Sequence, residues 1–528
     1  MRADNAKPIK RALLLVSLLL TACGGGAKTT CTSAPAPAPA PVPVVTSSGT
    51  DFFLTLPNHL CASSPSSCNI QNTSVSNKLI VTAATATTGE ATFYGVVTPF
   101  SVPAGGEVVI TLNPVFDSIM NKWVDAVLTN NEVVEAKGIH VTALSPVSVH
   151  VVSETPYTAD GYLALPTAGL GTSYYVMSYA STGQIGSEFA VVATQDNTSV
   201  TITPKAAGST NPANVPFTVV LNIGQTYQFE NPAYDDVTGT LVTADKPIAV
   251  FSGHRFANLP SSFGYGDYLV EQLPDVSIWG KTHHTSLFNG RSSYTVRVLA
   301  SQNNTTFTST IPAGNAAAIG TLNAGEFRDV VMSGVGEFIS DKPVLVAQFM
   351  HGFAEDNTKG DPSMVIVTPA EQGMIDSTFG VHGLAGTTGA FMNVVTKTAE
   401  LANLKLDNVA VDLALTPFTK VGGTIDYSTG MIPVTPGAHT LQGSGPYSAL
   451  VYDYGIGGNA VSYAYPVGAN LSAPVTQTAT PANSSPAVCV NSQVAVSNLS
   501  DDDSEHEEHA SIDHHENHEH DDAHDLDA

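Results

Sequence analysis

Two stretches of this chain, roughly a hundred residues apart, have almost the same sequence. Ala244-Asp-Lys-Pro-Ile-Ala-Val-Phe-Ser-Gly-His254 is echoed by Ser340-Asp-Lys-Pro-Val-Leu-Val-Ala-Gln-Phe-Met-His351. Each copy is typical of an Asp-Lys turn followed by a proline at the first strand position, where its missing N–H is tolerated, and then by an apolar strand. Such recurrence indicates a duplicated β unit and favours a repeated scaffold over a single catalytic pocket.

A second motif extends the repeat along the chain. The segments 189–198 and 295–305 both hold a strand pattern that ends in Asn-Thr, and fainter relatives lie at 79–88 and 392–401. The motif precedes each echoed stretch, so the two recur together. Four related units therefore fill about residues 50–465.

The composition agrees with a chain made of strands. Only 12% of the residues are charged, and alternating runs such as Val200-Thr-Ile-Thr203 are typical of short antiparallel strands. We predict an all-β fold of about four related antiparallel units, each of ~100 residues and about seven strands, arranged as tandem sandwiches. A propeller-like arrangement with two blades per unit is the alternative.

The N-terminus has the features of an export signal. A basic stretch from Arg2 to Arg11 precedes the apolar run Ala12–Leu20, which is too short to span a bilayer. The ending Leu20-Thr-Ala-Cys23 resembles the bacterial lipobox. We therefore expect residues 1–22 to be a lipoprotein signal peptide and Cys23 to carry the lipid that anchors the chain to a membrane. A plain secretory signal with an incidental cysteine is the alternative.

An Ala/Pro-rich linker, residues 23–49, follows the expected anchor. Its alternating tract Ala34–Pro43 is predicted to form extended polyproline II, which rises about 3.1 Å per residue and would lift the body some ~30 Å from the membrane. Gly24 favours the outer membrane, by resemblance to the usual sorting rule for lipoproteins. The expected location is the bacterial cell envelope, with a surface-exposed or periplasmic body.

The other four cysteines lie in a chain predicted to be exported, where disulfides are permitted. Cys61 and Cys68 are close in sequence and are predicted to close a small disulfide loop. Cys31 and Cys489 lie in flanking low-complexity segments and are either free or paired with each other. The sequence has no CxxC motif, so it suggests neither a zinc ribbon nor a redox site.

The C-terminus is a linker, 466–500, followed by an acidic tail, 501–528. The tail has 13 acidic residues and 7 histidines but no Lys or Arg, and such a composition predicts disorder. The tail histidines interleave with carboxylates, and the two kinds of ligand together suit Zn, Ni or Cu. These histidines are His506, His509, His514, His515, His518, His520 and His524. The tail is either a solvated acidic segment or a weak metal buffer, and no other cofactor is expected.

Motifs of known enzyme classes are missing from the body. It has no G-x-S-x-G, H-E-x-x-H, P-loop or dinucleotide fingerprint, so no enzymatic activity is expected. The pair His283-His284, and His254 and His351 at the ends of the echoed strands, are interpreted as structural. Acidic residues that a hydrolase would need are expected in loops, at Asp235, Asp236, Asp267, Glu271, Glu355, Asp356 and Asp361. Loop Asp and Asn oxygens that ligate calcium are a less favoured interpretation.

The charge and the aromatic residues of the chain indicate which partners it can bind. With 20 Lys and Arg against 46 Asp and Glu, the chain is a poor partner for nucleic acid. The tyrosines of 264–268 and 174–175 either mark a protein or glycan contact surface or are half-buried strand tyrosines. Since the echo itself is structural, function is expected in the loops between the echoed strands.

The body also resembles a known family. The run Asp267–Lys281, flanked by the echoed strands and by Tyr294–Thr305, resembles the IgG Fc-binding protein N-terminal domain family, as does Asp361–Pro369. The opening Asp51–Pro57 extends the resemblance over roughly 50–465. It implies a secreted or surface β-rich binding module without catalytic activity. The chain lacks the cysteine-rich von Willebrand-type modules that accompany this domain in animal proteins, and immunoglobulin binding does not follow from the resemblance.

These observations favour a non-catalytic, surface-exposed lipoprotein that acts as a binding or adhesion module for protein or glycan ligands. One alternative is a structural or metal-buffering envelope protein that uses its His-rich acidic tail. A carbohydrate-active enzyme is less favoured, because nothing in the sequence places two carboxylates opposite each other.

Overall fold

Four long strands organise the fold, and the two echoed stretches lie in the second and third of them. In this computed structural model the described residues are 44–63, 75–155, 157–181, 186–261, 264–309, 320–356, 359–387, 389–421, 426–457 and 459–472. All of them lie in one compact unit, Val42–Thr476. The predicted all-β fold with four related antiparallel units is confirmed. No helix within the described ranges is long and apolar enough to cross a bilayer.

The first unit contains seven paired strands and one short helix. They are β1 Gly49–Leu54, α1 Leu60–Ser63, β2 Ser76–Ala83, β3 Thr87–Phe93, β4 Val96–Val102, β5 Gly106–Thr111, β9 Ile139–Thr155 and β10 Thr158–Leu163. Between β5 and β9 the chain adds a separate hairpin, β6 Val115–Asp117 and β7 Lys122–Val124, and a two-residue strand, β8 Val134–Glu135. β8 pairs with the second unit rather than the first.

The second and third units repeat the same order of seven strands, and the fourth has eight. The second has β11 Gly171–Tyr175, β12 Ser187–Ala193, β13 Thr198–Thr203, β14 Phe217–Leu221, β15 Thr226–Glu230, β16 Leu241–Ala257 and β17 Asp267–Gln272. The third has β18 Gly280–Thr285, β19 Tyr294–Ala300, β20 Thr305–Ser309, β21 Gly320–Leu322, β22 Phe327–Met332, β23 Gly336–Met350 and β24 Ser363–Ile366. The fourth has β25 Met374–Val381, β26 Ala390–Lys397, β27 Lys405–Leu406, β28 Val409–Ala410, β29 Thr419–Val421, β30 Tyr427–Val434, β31 Gly437–Tyr454 and β32 Ser462–Pro466. Single 3₁₀ turns occur at Thr167–Gly169, Val276–Ile278, Ala370–Gln372 and Thr398–Asn403.

Each unit is a sandwich whose two half-sheets share one long strand. In the second unit the first part of β16 pairs with β11 and β13, and its second part pairs with β12 and β17. The strands β9, β23 and β31 divide their partners in the same way. A strand that bends from one sheet into the other lets about seven short strands enclose one core.

The echoed Asp-Lys-Pro lies in the middle of a strand, which corrects the prediction of a turn that begins one. In β16 the pairing with β11 jumps from Thr243 to Ile248, so the echoed residues lie in a bulge. The equivalent jump in β23 runs from Ile339 to Val344. Bulges bend a strand and leave residues unpaired, and proline is tolerated there because it has no N–H to lose. The echo therefore marks the bend between the two half-sheets.

The echoed lysine explains why the two sequence motifs recur together. Lys246 Nζ donates at 2.7 Å to the main-chain carbonyl of Asn197, and Lys342 Nζ donates at 2.7 Å to that of Asn304. Both asparagines are in the left-handed conformation, at φ 53° and 54°, which a tight turn requires. Each echo thus holds the turn that joins two other strands of its own unit.

The four units form a ring around their last strands. The strands β10, β17, β24 and β32 contact one another in sequence, and β10 also contacts β32. The ring closes where Ser47 donates its N–H to the carbonyl of Ala469 at 2.8 Å. Core residues of the fourth unit pack against Ile80 and Val152 of the first. Each unit therefore buries apolar surface on both neighbours.

Candidate functional site

Several predicted site residues lie outside the described residues. These are the expected lipidation site Cys23, the cysteine Cys68, and the tail histidines His506, His509, His514, His515, His518, His520 and His524. Cys61, in α1, is buried and forms a disulfide. Its partner sulfur lies outside the described ranges, so the pairing with Cys68 stays a prediction.

The adjacent histidines His283 and His284 are both buried on β18. His284 Nε2 lies 3.3 Å from Oε1 of Glu337, and its ring packs against Tyr427 with centroids 4.3 Å apart. Burial lowers the pKa of His283 to about 3 and that of His284 to about 4. Both rings are neutral at physiological pH, and the packing of His284 on Tyr427 links the third unit to the fourth.

The two histidines that end the echoed stretches are also buried. His254 Nδ1 accepts the backbone N–H of Phe256 at 3.0 Å. His351 in the third unit bonds to the hydroxyl of Thr295 at 2.8 Å and to Glu355 at 2.9 Å. The two occupy different polar surroundings in different units. Among the described residues, no group of three or more His, Cys, Asp or Glu is placed to hold a metal ion.

The acidic residues expected in loops include two that lie on a buried strand. Asp267 and Glu271 are both on β17 and are almost fully buried, and Asp361 is buried just before β24. Asp267 accepts backbone N–H groups from Ala159 at 2.8 Å and Ser462 at 3.2 Å. Its carboxyl therefore joins the second unit to the first and the fourth.

Asp160, on β10, completes this group of buried acids at the axis of the ring. Its carboxyl accepts backbone N–H groups from Val270 and Met364 at 3.1 Å and from Ala464 at 3.3 Å, one from each of the other units. Inner strands leave one edge without a strand partner, and buried N–H groups require an acceptor. The axial carboxyls supply that acceptor, which gives them a structural role.

Burial also changes the protonation of these acids. The pKa of Asp160 is raised well above its ordinary value by burial. Burial likewise raises the pKa of Glu271. The pKa of Asp267 is raised by burial and by the nearby Asp361 carboxyl. A carboxyl without solvent or a cation beside it favours its neutral form. Glycosidase chemistry instead needs two carboxyls that flank an open substrate cleft.

Two of the four tyrosines of the predicted contact surface are internal, and Tyr175 is half-buried. Tyr174 donates its hydroxyl to the carbonyl of Ile248 at 2.7 Å, and Tyr268 donates to that of Pro57 at 3.0 Å; both are fully buried. Tyr265 is exposed and packs edge-on against Phe353. Tyr174 and Tyr268 are therefore strand tyrosines and not part of a contact surface.

A cluster of exposed apolar side chains lies on the hairpin of β6 and β7. Ile119 at its tip is 94% exposed and Trp123 is 68% exposed, and Phe116 and Met120 are also exposed. Large apolar side chains grouped on a surface mark an interaction site more often than scattered ones do. We call Phe116, Ile119, Met120 and Trp123 the hairpin cluster.

The hairpin cluster is held in one geometry. Phe116 pairs directly with Trp123 across the strands, and their rings meet edge-on with centroids 5.3 Å apart. The carboxylate of Asp117 accepts the N–H groups of Ile119 and Met120, at 2.8 and 2.9 Å, and the hydroxyl of Tyr94 at 2.6 Å. The Tyr94 hydrogen bond lowers the pKa of Asp117. A surface that is already ordered loses less entropy when it binds a partner.

A cavity of about 380 Å³ adjoins the hairpin. Its lining residues are Cys61, Ala62, Val75, Lys122, Trp123, Val124, Asp125, Val127, Thr129, Asn130, Glu135 and Lys137. A larger cavity of about 510 Å³ lies at the third and fourth units, but none of its lining residues is charged or aromatic. The cavity beside Trp123 therefore combines the chemical groups that recognition needs, and we call it the Trp123 cavity.

This site was not predicted from the sequence, although the sequence contains a signal for it. The connection that holds the hairpin spans residues 112–138, whereas the equivalent connections in the other units are 231–240, 333–335 and 435–436. A long insertion at one copy of a repeat is where function is often added to a scaffold. The sequence of residues 115–124 is typical of ordinary short strands, because each strand mixes apolar and polar residues.

Comparison with known proteins places the body in a family. The family model for IgGFc binding protein matches residues 160–452, which begin after the hairpin. Human IgGFc-binding protein (Homo sapiens) is 26% identical over 313 residues, which cover 58% of this chain and 6% of that protein. The chain thus spans a small part of that relative's length. Because the family match covers more than half of its residues, this chain belongs to the IgGFc binding protein family.

Proposed function

We propose that this chain is a non-catalytic binding module of the bacterial cell envelope, which attaches to extracellular proteins or glycans. Membership of a family named for binding, and not for an enzymatic reaction, supports this role. The observation that carries the proposal is the hairpin cluster, because it presents exposed aromatic and aliphatic side chains on a rigid support.

The residue types of the hairpin cluster suit a binding surface. Trp, Phe and Met are enriched in the cores of interfaces, and Trp is among the residues that most often dominate binding energy. Met120 lies in the turn that the Asp117 carboxylate orders, and Trp123 lies on the strand that follows this turn. Burial of such a cluster by a partner yields favourable hydrophobic free energy of about 25 cal/mol per Å² of apolar surface.

The polar groups of the interior support a non-catalytic role. Asp160 and Asp267 bind backbone N–H groups, and His284 lies against Glu337 and Tyr427. A general acid or base must instead reach a substrate proton at hydrogen-bond distance. These side chains are buried between strands, where their partners are parts of the same chain.

The test is binding of the full chain, produced without lipid as the Cys23→Ser variant, to immobilised mucin, immunoglobulin G Fc and unglycosylated serum albumin. We expect binding to at least one glycoprotein, weakened about tenfold or more by Trp123→Ala. Leu415→Ala is the matched control, because Leu415 is an exposed leucine, 83% accessible, far from the hairpin in sequence. Equal binding by the two variants, or no binding to any of the proteins, would overturn the proposal.

Attachment to the envelope is a separate part of the proposal. The lipobox-like Leu20-Thr-Ala-Cys23 supports a diacylated cysteine, and two acyl chains suffice for stable anchoring. Labelled palmitate should enter the parent protein, which should sediment with membranes. The Cys23→Ser variant should take up no label and leave the membrane fraction; label retained by that variant would refute lipidation at Cys23.

A further inference from the structure

The residues that line the Trp123 cavity indicate which class of ligand it binds. This inference rests on the proposed binding function. Its volume of about 380 Å³ lies within the range of small-molecule sites, which is about 300–1,000 Å³. It is too small for a folded partner but large enough for one or two rings of a ligand. The lining residues therefore determine what enters.

One wall of the cavity is a flat aromatic surface. Trp123 lines the cavity and is exposed over two thirds of its surface, 68%. The edge-on contact with Phe116 and the order imposed on the turn by Asp117 fix the position of the indole. A fixed, exposed indole offers a face on which the C–H groups of a flat or chair-shaped ring pack.

Other lining residues are polar. Asn130 Nδ2 donates to Oε1 of Glu135 at 2.8 Å, and the N–H of Val127 donates to Oδ1 of Asp125 at 2.9 Å. Asp125 Oδ1 also accepts from Asn77 Nδ2 at 3.4 Å. Amide and carboxylate groups each hold several donor or acceptor positions, so these bonds leave capacity on Asn130 and on Oδ2 of Asp125. These two side chains can accept from and donate to neighbouring hydroxyl groups of one ligand.

The charges of the lining balance one another. The cavity has two lysines, Lys122 and Lys137, and two acids, Asp125 and Glu135. Lys137 Nζ donates to the carbonyl of Val127 at 2.8 Å and lies 3.6 Å from Glu135. A net formal charge of zero does not favour an anion or a cation, and it favours a neutral ligand with many hydroxyl groups.

An apolar side chain from a protein partner would suit this cavity less well. It would cover Asp125, Glu135 and the lysines without offering hydrogen bonds, and polar groups that lose water without a new partner oppose binding. A sugar replaces the lost water with its own hydroxyl groups while its apolar face covers the indole.

We infer that the Trp123 cavity binds one residue of a neutral carbohydrate. The sugar ring stacks on Trp123, and its hydroxyls bond to Asp125, Asn130 and Glu135. The hairpin cluster then contacts the rest of a glycan or glycoprotein. The site lies outside the residues 160–452 that match the family, so it is a feature of the first unit of this chain.

The first test uses the tryptophans themselves. The chain has two, and Trp279 is only 2% exposed, so quenching of fluorescence by acrylamide reports mainly on Trp123. The full chain is screened on an array of neutral oligosaccharides, and the best ligand is titrated with acrylamide present. We expect the sugar to protect Trp123, and Trp123→Ala to weaken binding about tenfold or more while Trp123→Phe retains part of it.

The second test separates this inference from the proposed function. Mucin is compared before and after enzymatic removal of its glycans, with Leu415→Ala as the control variant. Loss of binding after deglycosylation, together with a sugar that protects Trp123, supports the inference. Binding that survives deglycosylation, or an array without a neutral sugar that binds, overturns the carbohydrate site but leaves a protein-binding module. No binding to either form of mucin or to any other protein overturns both.

Discussion

Asp160, on the inner strand of the first unit, accepts a hydrogen bond at 3.1 Å from the backbone N–H of Met364, on the inner strand of the third. The same carboxyl also receives N–H groups from Val270 and Ala464. One side chain thus connects four segments that are far apart in sequence. The ring is held at its axis by polar contacts as well as by the apolar cores between units.

Replacement of Asp160 by Ala should destabilise the ring strongly. The change leaves up to three buried N–H groups without an acceptor, and each unsatisfied buried group costs about 1–3 kcal/mol. We expect a loss of roughly 3 kcal/mol or more in the free energy of unfolding, measured with urea. Asp235→Ala, at an exposed position, is the matched control. A loss equal to that of the control would contradict the axial role.

The four-unit architecture could be predicted from the sequence, whereas the buried carboxyls at the axis of the ring could not. The echo indicated the repeat because equivalent positions of two units carry the same residues, such as the lysines Lys246 and Lys342 that hold equivalent turns. The acids Asp160 and Asp267 resemble ordinary loop acids in the sequence. They are buried because N–H groups from other units converge on them, and no local pattern encodes such a convergence.

The candidate site was missed for a related reason. Phe116 and Trp123 sit in short alternating strands, which normally turn their apolar face to a core. Among the described residues no second layer covers that face, which is a tertiary property. The unusual length of the connection 112–138 was the only sequence signal.

Arg297 provides a second contact between units that mutation can test. Its guanidinium donates to Asp329 of its own unit and, at 2.7 Å each, to Asp236 and the carbonyl of Ser178 in the second unit. Arg297→Met should cost about 3–5 kcal/mol, because it leaves partly buried acids without their cation. Urea unfolding measures the loss.

The control for Arg297 is an exposed ion pair. Lys420 and Asp426 are 3.1 Å apart with both side chains largely exposed. Lys420→Met should therefore cost less than about 1 kcal/mol. If both variants lose the same stability, the Arg297 contacts do not link the units as described.

Buried histidines should make the protein less stable in acid. Burial lowers the pKa of His59 and His283 to about 3 and of His150 and His284 to about 4. In the unfolded chain these rings have an ordinary pKa near ~6.5, so the unfolded state binds protons first as the pH falls. Stability should drop from about pH 6.5 towards pH 4, by on the order of 1 kcal/mol per pH unit for each histidine.

A single substitution isolates this effect. His150→Gln removes one buried ring, so the slope of unfolding free energy between pH 7 and 5 should be smaller than in the parent. Thr218→Gln, at an exposed position without a titrating group, should leave the slope as it was. Identical slopes for all three proteins would show that His150 is not a neutral buried group.

The axial carboxyls should produce the opposite dependence at higher pH. The pKa of Asp267 is raised by burial and by Asp361, so the folded state binds more protons than the unfolded state above pH ~4. The stability that protonated Asp267 contributes is fully present below the pKa of this carboxyl in the unfolded chain. It is lost as the pH rises through the pKa of Asp267 in the folded protein. As the pH rises above the unfolded pKa of ~4, the unfolding free energy of the parent should fall relative to that of Asp267→Asn, which lacks this carboxyl and has the same histidines. A parent curve as flat as that of the variant would mean that Asp267 is ionised in the fold.

The location of the binding surface is the central claim, and hydrogen–deuterium exchange tests it most directly. The full chain is measured alone and with a saturating amount of the glycoprotein that binds it best. We predict that new protection is confined to residues 112–138 and the adjoining wall of the Trp123 cavity. Protection at the tyrosine loop around Tyr265, or within the fourth unit, with none at the hairpin, would contradict the account.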